Sequence, residues 1–295
     1  ILAGGNGYIL KHSDMVAGTA ELIEKICNEV FETGLVTSLR LNHQQAAELI
    51  ADPRISAVTM TGSSRGGSEV AATAGKHLKK CVLELGGSDA YLVLEDADIA
   101  KAAEVCAKAR MINSGQSCVA AKRFIVPKSK YDEFWQKCAE VMDQMVVGQP
   151  ADENTDIGPL AHKRFAEQLN AQQKKILNEG AKFLWTKATS ELGGAYVDLS
   201  IIEAGAAQPS YISEEFFGPV ALVTAYDKLE EGISLANSSR YGLGAALFTS
   251  DLQKAEELVG RLEAGVVAIN SNVRSDPHLP FGGIKKPQPK TARFI

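Results

Sequence analysis

The chain reads as an α/β protein with mostly parallel sheets, arranged as two domains. Three observations predict this. Strand-like apolar runs alternate with amphipathic, helix-length stretches almost from end to end, the order that gives a parallel sheet covered on both faces. At 295 residues the chain is too long for one ordinary core and fits two domains, or one with a large extension. A hydrophobic content of 45% and a charged content of 23% are those of a soluble globular protein.

In order, Gly7 to Lys11 reads as the end of a strand. Ser13 is placed to cap a helix running to about Glu32, with Met15, Leu22, Ile23, Ile26 and Val30 on one face and Gly34 as its stop. Val36 to Leu41 is a second strand, followed by a short helix near Gln44 to Ile50. Ile55 to Met60 is a third strand, which turns at Thr61-Gly62-Ser63 into a helix through about Ala74. Lys80 to Leu85 is a fourth.

A second α/β unit begins near Ser88, with a strand from Tyr91 to Leu94, a helix capped by Asp98 and running to about Ile112, and a strand from Lys122 to Val126. The helix from Tyr131 to Met145 carries the clearest stripe: Tyr131, Phe134, Trp135, Cys138, Val141, Met142 and Met145. A helix follows near Arg164 to Asn178, with strands near Val220 to Thr224 and Ala245 to Thr249. A helix from Leu252 to Leu262 and a strand from Gly265 to Asn270 close the unit. Between Thr186 and Ala207 small and polar residues obscure any period, and no internal repeat or low-complexity segment is evident.

Charge and cysteine usage exclude several classes. A net charge of −5 and a pI near 5.7, without a basic stripe, argue against nucleic acid or an anionic membrane as partner. No apolar run is long enough to span a bilayer, and no signal peptide is recognisable. The five cysteines, Cys27, Cys81, Cys106, Cys118 and Cys138, are scattered and odd in number, with no CxxC pair. Neither a disulfide framework nor a zinc or other metal site is expected, and a reducing cytoplasm is the default compartment. Both ends suggest truncation. The chain opens at Ile1 inside a strand-like run, and Lys285-Lys286-Pro287-Gln288-Pro289-Lys290 cannot continue a helix or a central strand.

Two segments carry most of the chemistry. In Leu83-Glu84-Leu85-Gly86-Gly87 a carboxylate ends an apolar run beside glycines that leave room for something against the backbone. Desolvation there suits Glu84 to take a proton from water, although capping or pairing at a strand's end would also explain it. In Asn113-Ser114-Gly115-Gln116-Ser117-Cys118 a thiol follows a small, polar approach able to aim backbone N–H groups at it. Those groups stabilise a thiolate, and then the oxyanion formed on attack at a carbonyl. A plain loop cysteine is the alternative. Cys27, Cys106 and Cys138 fall on apolar helical faces and read as inert.

Three weaker features accompany these. Thr61-Gly62-Ser63-Ser64-Arg65-Gly66-Gly67 sits between strand and helix, where free N–H groups and the Ser63 hydroxyl favour a phosphate. It lacks the GxGxxG spacing, and a capped Gly-rich turn explains it equally. Lys11 ends a strand, where ligands of open sheets bind, or is a surface lysine. In Glu214-Glu215-Phe216-Phe217-Gly218-Pro219 a carboxylate could accept ribose hydroxyls and a ring could pack on a cofactor, or the segment simply packs into the next strand.

Together these segments, with Gly5-Asn6 and Pro280-Phe281-Gly282-Gly283, resemble the aldehyde dehydrogenase superfamily in order and spacing. The stretches Lys79 to Asp89 and Ala120 to Val126 look most similar to bacterial succinate-semialdehyde dehydrogenase-like members. The resemblance implies a partial Rossmann-like cofactor domain at 1–87, a thiol-bearing catalytic domain at 88–283 and an atypical tail at 284–295. It implies an aldehyde oxidised to an acid, with Cys118 as nucleophile and Glu84 activating the hydrolytic water. Lys11, Ser63, Gly67, Glu215 and Phe217 would line an NAD or NADP site, with Gly62 and Gly86 near it. Asp14 matches an acidic residue that bonds a ribose hydroxyl and would repel a 2′-phosphate, which leans the cofactor to NAD. A homo-oligomer is expected of the full-length form. The segment that family members carry before Ile1, with an oxyanion-hole Asn, and their continuation after Gly283 are not in this sequence, and Tyr196-Val197-Asp198 replaces the family's Tyr-Pro-Pro. Two other classes stay open: a non-catalytic remnant that binds or builds, and a thiol esterase needing no dinucleotide.

Overall fold

The computed structural model describes residues 1–31, 34–189 and 192–285. They form two compact units, Ile1–Met60 with Ser68–Val82, and Thr61–Gly67 with the chain from Leu83 onward.

In the first unit β1 (Tyr8–Leu10) leads to Ser13, whose hydroxyl accepts the Met15 N–H and opens a 3₁₀ turn over Asp14–Val16. The turn runs into α1 (Ala17–Val30). Phe31 is extended, Gly34 takes φ +95°, and the expected helix end at Glu32 lies outside the described residues. β2 (Val36–Ser38) pairs parallel with β1, Tyr8 opposite Val36. α2 (His43–Ala51) starts with a reciprocal capping box between Asn42 and Gln45. β3 (Ala57–Thr61), α3 (Ser64–Lys76) and β4 (Lys80–Glu84) follow, with β3 paired to β4. The α1 stripe departs from expectation: Leu22, Ile26 and Val30 are 54%, 51% and 71% exposed, while Ala20 is the buried residue of the helix. Two three-residue strands offer too little surface to cover the whole stripe of a fourteen-residue helix.

The second unit is built on one twisted sheet. In chain order come β5 (Asp89–Val93), α4 (Ile99–Met111), β6 (Ala121–Pro127), α5 (Tyr131–Asp143), α6 (Lys163–Asn178), β7 (Lys182–Lys187), β8 (Leu199–Glu203), α7 (Pro209–Ser213), β9 (Val220–Tyr226), α8 (Leu229–Asn237), β10 (Gly244–Phe248), α9 (Leu252–Val259) and β11 (Val266–Ile269). The strand order is β11-β10-β5-β6-β9-β8-β7, with every pair parallel except β7 on β8. β5, β6 and β10 are buried along their whole lengths, as strands covered on both faces must be. Phe124, Phe134, Cys106, Cys138 and Met142 fill the layer under α4 and α5, and Leu92, Ile125, Ile233, Leu247 and Leu258 fill the opposite one.

The stripe predicted from Tyr131 onward meets the core, with Phe134, Cys138 and Met142 fully buried. Sequence reading missed β7, β8 and α7. β7 is an antiparallel edge strand with a register shift between Phe183 and Trp185 and lysines at both ends, which breaks its alternation.

Candidate active site

The loop from α4 to β6 carries the thiol in a left-handed twist. Asn113, Ser114 and Gly115 take φ of 52°, 53° and 77° in succession, a conformation that costs energy in the first two. The surroundings hold it. Ser114 Oγ accepts the Gly158 N–H at 3.0 Å, Gln116 Oε1 accepts the Ala161 N–H at 2.9 Å, and Asn113 Nδ2 donates to the Gln116 carbonyl at 3.1 Å. The buried Arg110 guanidinium donates to the Gly115 carbonyl. Gly115 has no substitute, because a methyl group there would sit 2.2 Å from the Gly218 carbonyl oxygen.

Next comes a tight turn, closed by the Ala120 N–H on the Ser117 carbonyl at 3.2 Å. Cys118 and Val119 occupy its corners, so their own amides stay out of the turn's hydrogen bond. Cys118 is half-buried, and that burial raises its thiol pKa. Lys122 and the Val119 N–H pull it down, while Asp89 and Glu215 oppose them. Cys106 and Cys138 are fully buried, and desolvation pushes both thiols well above the usual range.

Below this turn lies a cluster of charge. Lys122 is fully buried at the start of β6, and its Nζ donates to the carbonyls of Ser117 and Cys118, both at 2.9 Å, and of Ala120 at 3.3 Å. Glu215 Oε1 lies 3.3 Å from the same Nζ and accepts the Gly87 N–H at 3.0 Å. Asp89 accepts the Gly244 N–H at 3.1 Å, and its burial raises its pKa to about 6. Arg123 is also buried, donating to the carbonyls of Ser88, Leu235 and Ala236 and lying over the Tyr211 ring. Sequence reading missed Lys122. The available signal was a pair of cations opening an otherwise apolar run, where charge is costly unless partnered.

The two glycines after Glu84 explain themselves here. A methyl at Gly86 would lie 2.0 Å from Glu215 Oε2, and one at Gly87 2.7 Å from the Cys118 carbonyl oxygen. What lies against the backbone is therefore the protein's own carboxylate and thiol-bearing turn. Glu84 closes β4 half-buried, with Oε2 buried and without a hydrogen-bond partner among the described residues, and desolvation raises its pKa. The Gly62 N–H donates to the Glu84 carbonyl at 3.0 Å, which joins the Thr61–Gly67 turn to the strand end. Ser63 Oγ accepts the Gly66 N–H at 3.2 Å and so caps α3, and Gly67 packs on Leu85, where a methyl would meet Cδ2 at 2.5 Å. Phe216 is buried, whereas Phe217 is 43% exposed. Lys11 follows β1 and is half-buried, and Asp14 is exposed in the 3₁₀ turn; both belong to the first unit. No group of three or more His, Cys, Asp or Glu suited to a metal ion occurs among the described residues. No helix among them is long and apolar enough to cross a membrane.

A thiol on a tight turn beside an α/β sheet, and a desolvated carboxylate at a strand end, are the two groups that covalent chemistry at a carbonyl requires. Residues 1–288 match the aldehyde dehydrogenase family model, and the chain belongs to that family. It is 39% identical over 286 residues to the succinate-semialdehyde dehydrogenase [NADP(+)] of Deinococcus radiodurans, covering 97% of this chain and 60% of that protein. It is 42% identical to the probable succinate-semialdehyde dehydrogenase [NADP(+)] of Synechocystis sp., covering 97% of this chain and 63% of that one. The crystal structure of succinic semialdehyde dehydrogenase from Streptococcus pyogenes with NADP+ superposes with a TM-score of 0.91 at 38% identity, over 95% of this chain and 62% of that chain. The chain thus spans roughly three-fifths of the length of the relatives it matches.

Proposed function

We propose that the protein oxidises an aldehyde to a carboxylic acid with NAD or NADP, through a covalent adduct on Cys118. The observation that carries this reading is the Cys118 turn: a half-buried thiol on a tight turn whose carbonyls are held by a buried ammonium. The Cys118 thiolate adds to the aldehyde carbon, and the corner amides of Cys118 and Val119 receive the resulting oxyanion. A nicotinamide dinucleotide, when bound, supplies the hydride acceptor. At the thioester stage Glu84 takes a proton from water, which attacks the acyl carbon and releases the acid and the Cys118 thiolate. Burial favours this role, because it keeps the carboxylate basic enough to work near neutral pH.

The residues at hand fit a dinucleotide. Glu215 holds the Gly87 N–H and faces Lys122 through Oε1, and its Oε2 is the acceptor proposed for a ribose hydroxyl. Phe217 presents an exposed ring, and the first amides of α3 precede the one that Ser63 caps. Lys11 and Asp14 enter as further ribose or phosphate ligands, with residues 1–87 as the second half of the cofactor domain and 88–283 as the catalytic domain. Asp14 favours NAD by charge, whereas relatives named for NADP(+) favour the other, so the reading is NAD(P). Succinate semialdehyde is the proposed substrate on the names of those relatives, and a homo-oligomer in the cytoplasm is the proposed setting. An esterase without dinucleotide would leave the exposed Phe217 ring without a task.

The test is NADH or NADPH formation with succinate semialdehyde and with butanal, by this chain and by a form extended to the length of its relatives. Cys118→Ser is assayed in parallel. Undiminished product from the Ser variant would overturn the mechanism, and butanal outrunning succinate semialdehyde would overturn the substrate.

A further inference from the structure

We propose that Lys122 is a positioning residue for the thiol: its ammonium holds the Cys118 turn in the geometry that aims two amides at the reacting centre, and ties that turn to Glu215. The inference rests on the reading of Cys118 as nucleophile. Lys122 lies in the Ala120 to Val126 stretch that carries the resemblance, without a role in the site read from it.

The geometry follows from peptide planarity. In a trans peptide the C=O of one residue points opposite to the N–H of the next. Lys122 Nζ draws the Ser117 carbonyl inward, so the Cys118 N–H faces away from the lysine. It draws the Cys118 carbonyl inward too, so the Val119 N–H faces away as well. An ammonium has three donors, and the carbonyls of Ser117, Cys118 and Ala120 use all of them. The fourth neighbour, Glu215 at 3.3 Å, balances the charge without taking a donor. That carboxylate also holds the Gly87 N–H, and Gly87 packs on the Cys118 carbonyl. Carbonyl, ammonium, carboxylate and glycine amide thus form one closed circuit beneath the thiol.

Burial makes the arrangement consequential. Lys122 is wholly withdrawn from solvent, where a charge acts at far lower dielectric than on the surface. The charged groups acting on it are Glu215, Asp89 and Arg110, together with Cys118 itself. Those acting on Cys118 are Lys122, Asp89 and Glu215, so the lysine is the cation among them.

The experiment reads the pH dependence of iodoacetamide alkylation at Cys118, followed by mass spectrometry of its peptide, in wild type, Lys122→Met and Glu215→Gln. It needs neither aldehyde nor dinucleotide, so a failure of the proposed oxidation leaves it intact. Lys122→Met is expected to move the alkylation midpoint upward by about one pH unit and to slow alkylation near neutrality about tenfold. Glu215→Gln removes an opposing negative charge but leaves the lysine, and is expected to move the midpoint the other way. A merely structural lysine would not give shifts of opposite sign. A folded Lys122→Met protein with an unmoved midpoint overturns the proposal. If that variant does not fold, Glu215→Gln decides: a lowered midpoint supports the role, and an unchanged or raised one overturns it.

Discussion

The layer between α4 and α5 and the loop between α4 and β6 both hold cysteine, and the same thiol means different things in each. Cys106 and Cys138 sit in the layer, fully buried, with apolar neighbours such as Phe134 and Met142. The Cys138 thiol donates to the Ala103 carbonyl, 3.5 Å away, which stabilises the protonated form. Cys118 is buried to a lesser degree, but an N–H and an ammonium answer its charge. Reactivity therefore follows from what a thiol is buried against, not from burial itself. Cys118→Ser should cost at least about three orders of magnitude in aldehyde oxidation, since a nucleophile has no stand-in. In unfolded-free protein near neutral pH, iodoacetamide should mark Cys118 and leave Cys106 and Cys138 unmodified. Labelling of the buried pair at a comparable rate would undo the argument.

Glu84 extends the comparison to carboxylates. Glu84→Gln is expected to lower turnover by about two to four orders of magnitude, with acyl-enzyme accumulating on Cys118. The pH profile gives the sign. Glu84 acts as a base only when ionised, and Cys118 as a nucleophile only as thiolate; burial raises both pKa values. Turnover should therefore climb with pH, with its lower limb above the ordinary carboxylate range. The Gln variant should lose that limb and keep the thiol's. A Gln variant with the wild-type lower limb would remove Glu84 from the mechanism.

The candidate site's two central segments stand out in the sequence because their parts are local. Gly-Gly after a strand-end carboxylate, and a Cys after a small polar run, are chemical statements made within a few residues. What lay beyond reach were the long-range partners. That Gly86 makes room for Glu215, or that Gly115 abuts Gly218, depends on pairings across the sheet that no local period encodes. Lys122 was hidden because a lysine in a strand is ordinarily a surface residue, and only the fold shows three carbonyls turned toward it. The α1 stripe erred in the opposite sense. A helical period was present in Leu22, Ile26 and Val30, but periodicity shows that residues share a face, not that the face is covered. β7 escaped because an antiparallel edge with a bulge has no single alternation to read, and β8 because a strand buried over Leu199–Ile202 has none either.

The two glycines separate cofactor binding from chemistry with smaller effects. Gly86→Ala places its methyl on the Glu215 carboxylate, the far end of a flexible side chain, which can swing aside. The fold should survive while the KM for dinucleotide rises about tenfold, the equivalent of about 1.4 kcal/mol. Gly87→Ala meets the Cys118 carbonyl instead, which is backbone and cannot swing. There kcat, rather than the dinucleotide KM, should fall, because the turn that carries the sulfur must shift. If both variants raised KM alone, Gly87 would have no hold on the thiol.

The smallest effect belongs to the inert thiols. Cys138→Ala deletes one buried heavy atom and its weak hydrogen bond to Ala103, leaving a hole too small to refill. The expected loss is on the order of 1 kcal/mol, seen as a melting temperature a few degrees lower. Turnover and its pH profile should not move, because Cys138 lies in the α4–α5 layer and takes no part in the charge cluster around Lys122. The variant thus sets the baseline against which the other effects are judged: a thiol can be removed from this protein at the cost of packing alone. A Cys138→Ala enzyme that lost activity without losing stability would show that the layer communicates with the loop, and the contrast between the two regions would no longer hold.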